Sequence, residues 1–297
     1  MKTRIISGII IAVLIIGLGI PGSYPLWLMC MLCSLIGYIE LTAVLCKPAS
    51  ARKKGAVHKW NAKPDLIAFP GLLLTVVYYA GMMYIEWRYG LVNQTDLIRA
   101  SDLWTGMLLT LDFLLVMAVY VYTFPRRRSS QATGAAAAFL YMPVMMAYLC
   151  RTRNLSHGIF LYLLIFICAS VSDVCALAVG MAIGRHKLAP VLSPKKTIEG
   201  AIGGIAGSAL VSFLLGLVLH HFDPGMHVTT LFLIIGICGS IIGQTGDLAA
   251  SAIKRNSGIK DYGTLIPGHG GIMDRFDSIV FTAPVIYYLS MLLYGMK

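Results

Sequence analysis

Between Ser251 and Asp277 the chain reads SAIKRNSGIKDYGTLIPGHGGIMDRFD, a polar stretch in a sequence that otherwise avoids charge. Lys254, Arg255, Lys260 and Arg275 interleave there with Asp261, Asp274 and Asp277. Pro267, Gly268, Gly270 and Gly271 give a backbone able to turn tightly and present its N–H groups to an anion. Asp274 and Asp277 are three residues apart, so on a helix they share a face, and at a helix N-terminus they complement its dipole. A second segment, SPKKTIEG from Ser193 to Gly200, places Lys195 and Lys196 just before a potential helix start. Carboxylates among lysines and exposed amides suit a metal–polyphosphate complex. Hard oxygens hold Mg2+, while cations and amides hold phosphate oxygens. The competing reading is a salt-bridged loop that only anchors the last helix.

The chain has 13 acids, and any that lie in apolar stretches are expensive there unless used. Asp173 follows Ser172, Asp247 sits in QTGDLAAS, and Asp274 and Asp277 open the last apolar stretch. Glu40 and Asp112 stand in earlier stretches without a motif. Glu40 is near a basic loop and can pair with it; Asp112 has no evident role. His269 either bonds a phosphate or fixes the Pro-Gly turn.

These residues must be positioned by membrane helices. Hydrophobic residues make up 58% of the chain, charged residues 12%, and the mean hydropathy is +0.77. Soluble domains carry roughly a quarter charged residues, so most of this surface faces lipid. A disordered chain, a secreted disulfide scaffold and an ordinary cytosolic enzyme are excluded. Nine apolar stretches are each long enough, or nearly so, to span a bilayer, at roughly 5–20, 25–46, 66–85, 103–123, 134–150, 157–182, 200–221, 228–250 and 277–296. The expected fold is all-α: a polytopic integral membrane protein of about nine transmembrane helices. Residues 1–133 hold the N-terminal helices and a basic loop, and residues 134–297 the catalytic region. No small-x-small cleavage site follows the first stretch, so it reads as a retained helix.

Placing the N-terminus in the cytoplasm puts most of the 24 Lys and Arg on that side, in the loops near residues 47–63, 126–128, 185–196 and 254–275. The opposite side receives Arg88, Arg99, Arg151, Arg153 and Lys297. Trp27, Trp87 and Trp104 fall at span ends, where interfacial tryptophans belong. The net charge of +11 thus records topology, and nucleic acid loses its motivation as a partner. The polar cluster becomes cytoplasmic, where nucleotides are, and lies at the membrane boundary, where lipid phosphates are.

Two further patterns read as packing. Cys30 and Cys33 form a C-x-x-C, but no second pair or histidine follows at metal spacing, so buried thiols fit better. Gly200, Gly203, Gly204 and Gly207, then Gly236, Gly239, Gly243 and Gly246, match neither a Walker loop nor a dinucleotide turn. Small residues at that spacing let transmembrane helices approach closely. A transporter would show repetition between halves and polar groups at the midplane, and neither is found. A structural scaffold leaves the clustered carboxylates unexplained.

The residues from Ser251 to Asp277 resemble the signature of the phosphatidate cytidylyltransferases, the CDP-diacylglycerol synthases. That signature runs S-x-hydrophobic-K-R, then K-D, then H-G-G-hydrophobic-x-D-R-hydrophobic-D. The likeness extends to Ser172–Asp173, Gly180, Gly184, the SPKKTIEG loop and Gly246–Asp247–Leu248. It departs at Ala250, where many members carry an acid, and at Gly184–Arg185, where a Gly-Lys pair is common.

The resemblance implies transfer of the cytidylyl group from CTP to phosphatidate, giving CDP-diacylglycerol and pyrophosphate at the cytoplasmic face of a bacterial-type inner membrane. It implies Mg2+, with K+ as a second cation, and a homodimer. By position Asp247 and Asp274 correspond to the metal-binding aspartates, and Mg2+ is expected to bridge them and the CTP phosphates. Asp173 and Asp277 support them. Lys195, Lys196, Lys254, Arg255 and Arg275 would neutralise substrates and leaving group, while Ser193, Lys260, His269, Gly270 and Gly271 line the substrate site. A CTP-dependent lipid kinase is the nearest rival, distinguished by releasing CDP.

Overall fold

The computed structural model describes residues 17–46, 65–90, 93–222, 228–265 and 270–294. In chain order the helices are α1 (Ser23–Leu45), α2 (Phe69–Tyr89), α3 (Gln94–Tyr122), α4 (Ser129–Phe139), α5 (Met145–Arg153), α6 (Gly158–Phe166), α7 (Ser172–Ile183), α8 (Ile198–Phe222), α9 (Thr229–Asn256) and α10 (Met273–Tyr294). A π turn at Leu140–Val144 joins α4 to α5, and another at Ile167–Val171 joins α6 to α7. Pro143 lies within the first and has no N–H to continue an α ladder. The second directly precedes Ser172 and Asp173.

Among the described residues, eight helical stretches are long and apolar enough to cross a membrane, from Ser23–Leu45 to Met273–Leu293. They coincide with the second to ninth expected spans. The protein is therefore an all-α polytopic membrane protein. Most of the first expected span and the whole basic loop at 47–64 lie outside the described residues. One element departs from helix: β1 (Lys187–Ala189) and β2 (Ser193–Thr197) form a two-stranded antiparallel hairpin.

The described residues fall into two compact units. One runs to Cys150 and includes Ile253–Phe276; the other takes Arg151–Ala252 and resumes at Asp277. In the first unit, Tyr38, Tyr78, Tyr79 and Phe139 are buried together with Leu26, Leu41 and Met82. Their polar ends are satisfied internally, as an apolar surround requires. Tyr79 shares a 2.7 Å hydrogen bond with Ser34 and donates to the Pro143 carbonyl at 3.1 Å. Trp27, near the start of α1, is 2% exposed, and its indole N–H donates to Glu86.

The second unit is built on glycine. A β-carbon at Gly200 would lie 2.6 Å from the Ala176 carbonyl oxygen, and one at Gly204 would lie 2.8 Å from that of Ser172. Helices α7 and α8 therefore meet backbone to backbone, which only small residues allow. The row on α9 behaves alike, with Gly236 against Ser212, Gly239 against Cys168 and Gly246 against the Asp277 carbonyl. The packing reading of both glycine rows is borne out, and all seven cysteines are free thiols.

Candidate active site

Asp274 lies in the first turn of α10 and is only 8% exposed. A carboxylate so placed must be neutralised or hydrogen-bonded. Both occur. Lys254, 9% exposed near the end of α9, donates from Nζ to Oδ1 at 2.8 Å. The Tyr262 and Gly271 amides donate to Oδ2 at 2.8 and 3.0 Å. The Lys254 ammonium also lies 5.4 Å from the centre of the Tyr262 ring. Gly270 bends the strap with a φ of +85°, a conformation that suits glycine. The Gly271 amide at the start of α10 does face an anion, and that anion is a carboxylate of the protein itself.

One residue here went unassigned in the sequence. Glu40, on α1 and 3% exposed, accepts the amides of Ile272 at 3.2 Å and Met273 at 2.9 Å. Rather than the basic loop, which lies outside the described residues, its described partner is the start of α10. The available signal was its cost: an acid in an apolar span needs a partner.

In the second unit, Asp247 on α9 forms an ion pair with Lys196 of β2, each side chain being 25% exposed. Successive strand residues face opposite ways, so Lys196 turns to Asp247 while Lys195 is exposed. Asp173 on α7 is within electrostatic range of both Lys196 and Asp247. Helices α7, α8 and α9 are tied together around them. The Gln244 amide NH2 donates to Ser172 and to the Ala201 carbonyl at 3.2 Å each, and Ser172 and Ser240 share a 2.7 Å bond. Thr197 Oγ1 accepts the Gly200 amide at 3.1 Å, and α8 begins at Ile198, as the SPKKTIEG segment suggested. Glu199 binds back to the amides of Arg185 at 3.1 Å and His186 at 3.2 Å, closing the hairpin.

The remaining residues divide by exposure. Arg255, Lys260 and Arg275 are exposed cations, and Ser193 opens β2. Asp277 Oδ1 accepts its neighbour's amide, that of Ser278, at 2.8 Å. Asp112 is 1% exposed on α3, and its Oδ1 has no hydrogen-bond partner among the described residues. His269 lies outside them.

Carboxylates backed by lysines, on helices long and apolar enough to cross a membrane, are a combination suited to an enzyme that handles phosphates. Comparison with known proteins sharpens that class. The Cytidylyltransferase family matches residues 2–293, and the chain belongs to that family. It is 29% identical to the phosphatidate cytidylyltransferase of Bacillus subtilis (strain 168) over 292 residues, covering 97% of both chains. Similarity to the enzymes of that name from Staphylococcus saprophyticus and Staphylococcus epidermidis is 30% and 31% identity, over 97% of this chain and 98% of each relative.

Proposed function

We propose that this protein is a CTP:phosphatidate cytidylyltransferase, embedded in a bacterial-type inner membrane with its active site facing the cytoplasm. The observation that carries the reading is the Asp274 cradle. The segment that resembles the enzyme signature folds into a buried carboxylate held by Lys254 and two amides.

A phosphate oxygen of phosphatidate attacks the α-phosphorus of CTP. The new P–O bond forms as the α–β bridging bond breaks, and its electron pair leaves with pyrophosphate. The nucleophile is already an anion near neutral pH, so no strong general base is needed. Lys195, Arg255, Lys260 and Arg275 offer charge to the two substrates and the leaving group, with Ser193, His269 and Gly270 as further substrate contacts, while the Gly271 amide is taken by Asp274. Lys254 and Lys196 pair with Asp274 and Asp247 and fix the position of each carboxylate. Asp173 and Asp277 support these groups.

The donor chemistry suits Mg2+. An ionised carboxylate offers about four acceptor positions. Among the described residues Asp274 uses three of them and Asp247 meets one lysine. Among the described residues no three His, Cys, Asp or Glu side chains converge. Mg2+ keeps water and substrate phosphates as most of its ligands. By the resemblance to the enzyme signature, Asp247 and Asp274 are the carboxylates we assign to it, with K+ as the second cation. When bound, Mg2+ supplies positive charge to the triphosphate oxygens.

The test is the leaving group. Purified protein given CTP, phosphatidate and Mg2+ should release pyrophosphate only when both substrates are present. Release of CDP would instead identify a lipid kinase.

A further inference from the structure

Helix α10 starts where its own sequence offers no cap. Gly270, Gly271 and Ile272 precede it, and none has a side-chain oxygen for the unpaired amides of a first turn. The Ile272 carbonyl opens the helical ladder, accepting from Arg275 at 2.9 Å and Phe276 at 3.2 Å. The missing acceptor comes from α1, where the Glu40 carboxylate takes the Ile272 and Met273 amides. A carboxylate at a helix N-terminus gains from both the charged hydrogen bonds and the dipole. The amides of Gly271, Ile272 and Met273 are thus shared between two acids: the first serves Asp274 and the next two serve Glu40.

The glycines bear the same imprint. A β-carbon at Gly263 or at Gly271 would overlap the Glu40 carboxylate. Gly270 has a positive φ, whereas Gly271 does not. What excludes a side chain at 271 is Glu40, not backbone conformation.

We propose that Glu40 is a positioning residue for Asp274. By capping α10 from a distant helix, it holds the first turn, and with it the Asp274 carboxylate, in the orientation that the reaction uses. This inference rests on the catalytic reading of Asp274 given above. Glu40 touches backbone amides and acts through them.

The experiment uses the full chain in detergent, comparing wild type with Glu40→Ala, Glu40→Gln, Glu40→Asp, Gly271→Ala and the Glu40→Ala/Gly271→Ala pair. Three quantities are read: amide hydrogen exchange at Ile272 and Met273, binding of Mn2+ alone by electron paramagnetic resonance, and kcat with KM. In Glu40→Ala, exchange at both amides should rise about tenfold or more as the turn opens locally. Mn2+ affinity should fall about tenfold, as when a group that orients a metal ligand is lost. The kcat should fall about 30-fold or more, the scale of a small misplacement, with KM for phosphatidate little changed. Glu40→Gln keeps an acceptor oxygen and should recover most of the kcat. The paired variant should lose no more than Gly271→Ala alone.

Fast exchange at Ile272 and Met273 with unchanged Mn2+ affinity and kcat would overturn the proposal. If Glu40→Ala does not fold, Glu40→Asp decides, because it withdraws the carboxylate by one methylene. Unchanged Mn2+ affinity and kcat in that variant would sink it. Exchange and Mn2+ binding need no turnover, so a wild-type protein that makes no CDP-diacylglycerol would refute the function without deciding this point.

Discussion

Asp274 and Asp247 each face a lysine, but their settings differ. Asp274 is nearly enclosed, with three donors fixing both oxygens. Asp247 is a quarter exposed and meets a lysine carried by a short hairpin. An enclosed charge pair is structurally expensive to disturb, because each partner neutralises the other away from water. A partly exposed pair is weakly coupled to folding, since solvent screens it and can replace either partner. Asp274 is thus committed to stability as well as chemistry, while Asp247 is free to serve chemistry with little structural consequence.

That contrast can be broken by mutation. Asp274→Ala strands Lys254 in a buried site, so we expect loss of detectable cytidylyl transfer and destabilisation of about 3–5 kcal/mol in thermal or denaturant unfolding. Adding Lys254→Met should recover most of the stability and none of the activity. Recovered activity would remove Asp274 from the reaction. Asp247→Asn should lower kcat about 100-fold or more, in line with losing a charge aimed at the reacting phosphates. Its unfolding free energy should change by no more than about 1 kcal/mol. A large stability loss there would erase the difference between the two carboxylates.

Smaller effects sharpen the second setting. Gln244→Ala removes the amide that joins Ser172 and the Ala201 carbonyl, and should destabilise by about 1–3 kcal/mol. It should lower kcat less than Asp247→Asn does. Lys196→Ala should change stability by about 0–1 kcal/mol, while raising KM for CTP more than it lowers kcat. Titrations of the Lys196 and Lys254 variants with CTP will show whether the exposed pair responds to nucleotide and the enclosed pair does not.

What the sequence revealed follows physical range. The spans were legible because lipid imposes a long apolar run on each helix, and the residues of the Asp274 segment were legible because they lie close together in the chain. Lys254 and Asp274 are 20 residues apart, and the two appear in one motif. Glu40 is 232 residues from Ile272, and no spacing rule connects them; its only local sign was an acid in an apolar helix. The hairpin at Lys187–Thr197 was invisible because SPKKT lacks the alternating β-branched residues of an ordinary strand. The Gln244 contacts were missed because a lone polar residue among small ones reads simply as helix packing.

The central claim is that a phosphatidate oxygen takes the α-phosphorus of CTP at carboxylates held by lysines. It is tested most directly by incubating the purified protein with phosphatidate, Mg2+ and CTP labelled either at the α- or at the γ-phosphorus, then counting the extracted lipid. The α-label should enter the lipid in wild type and be lost in both Asp274→Ala and Asp247→Asn. Lipid labelled only from γ-CTP, or α-label persisting in both variants, would contradict the account.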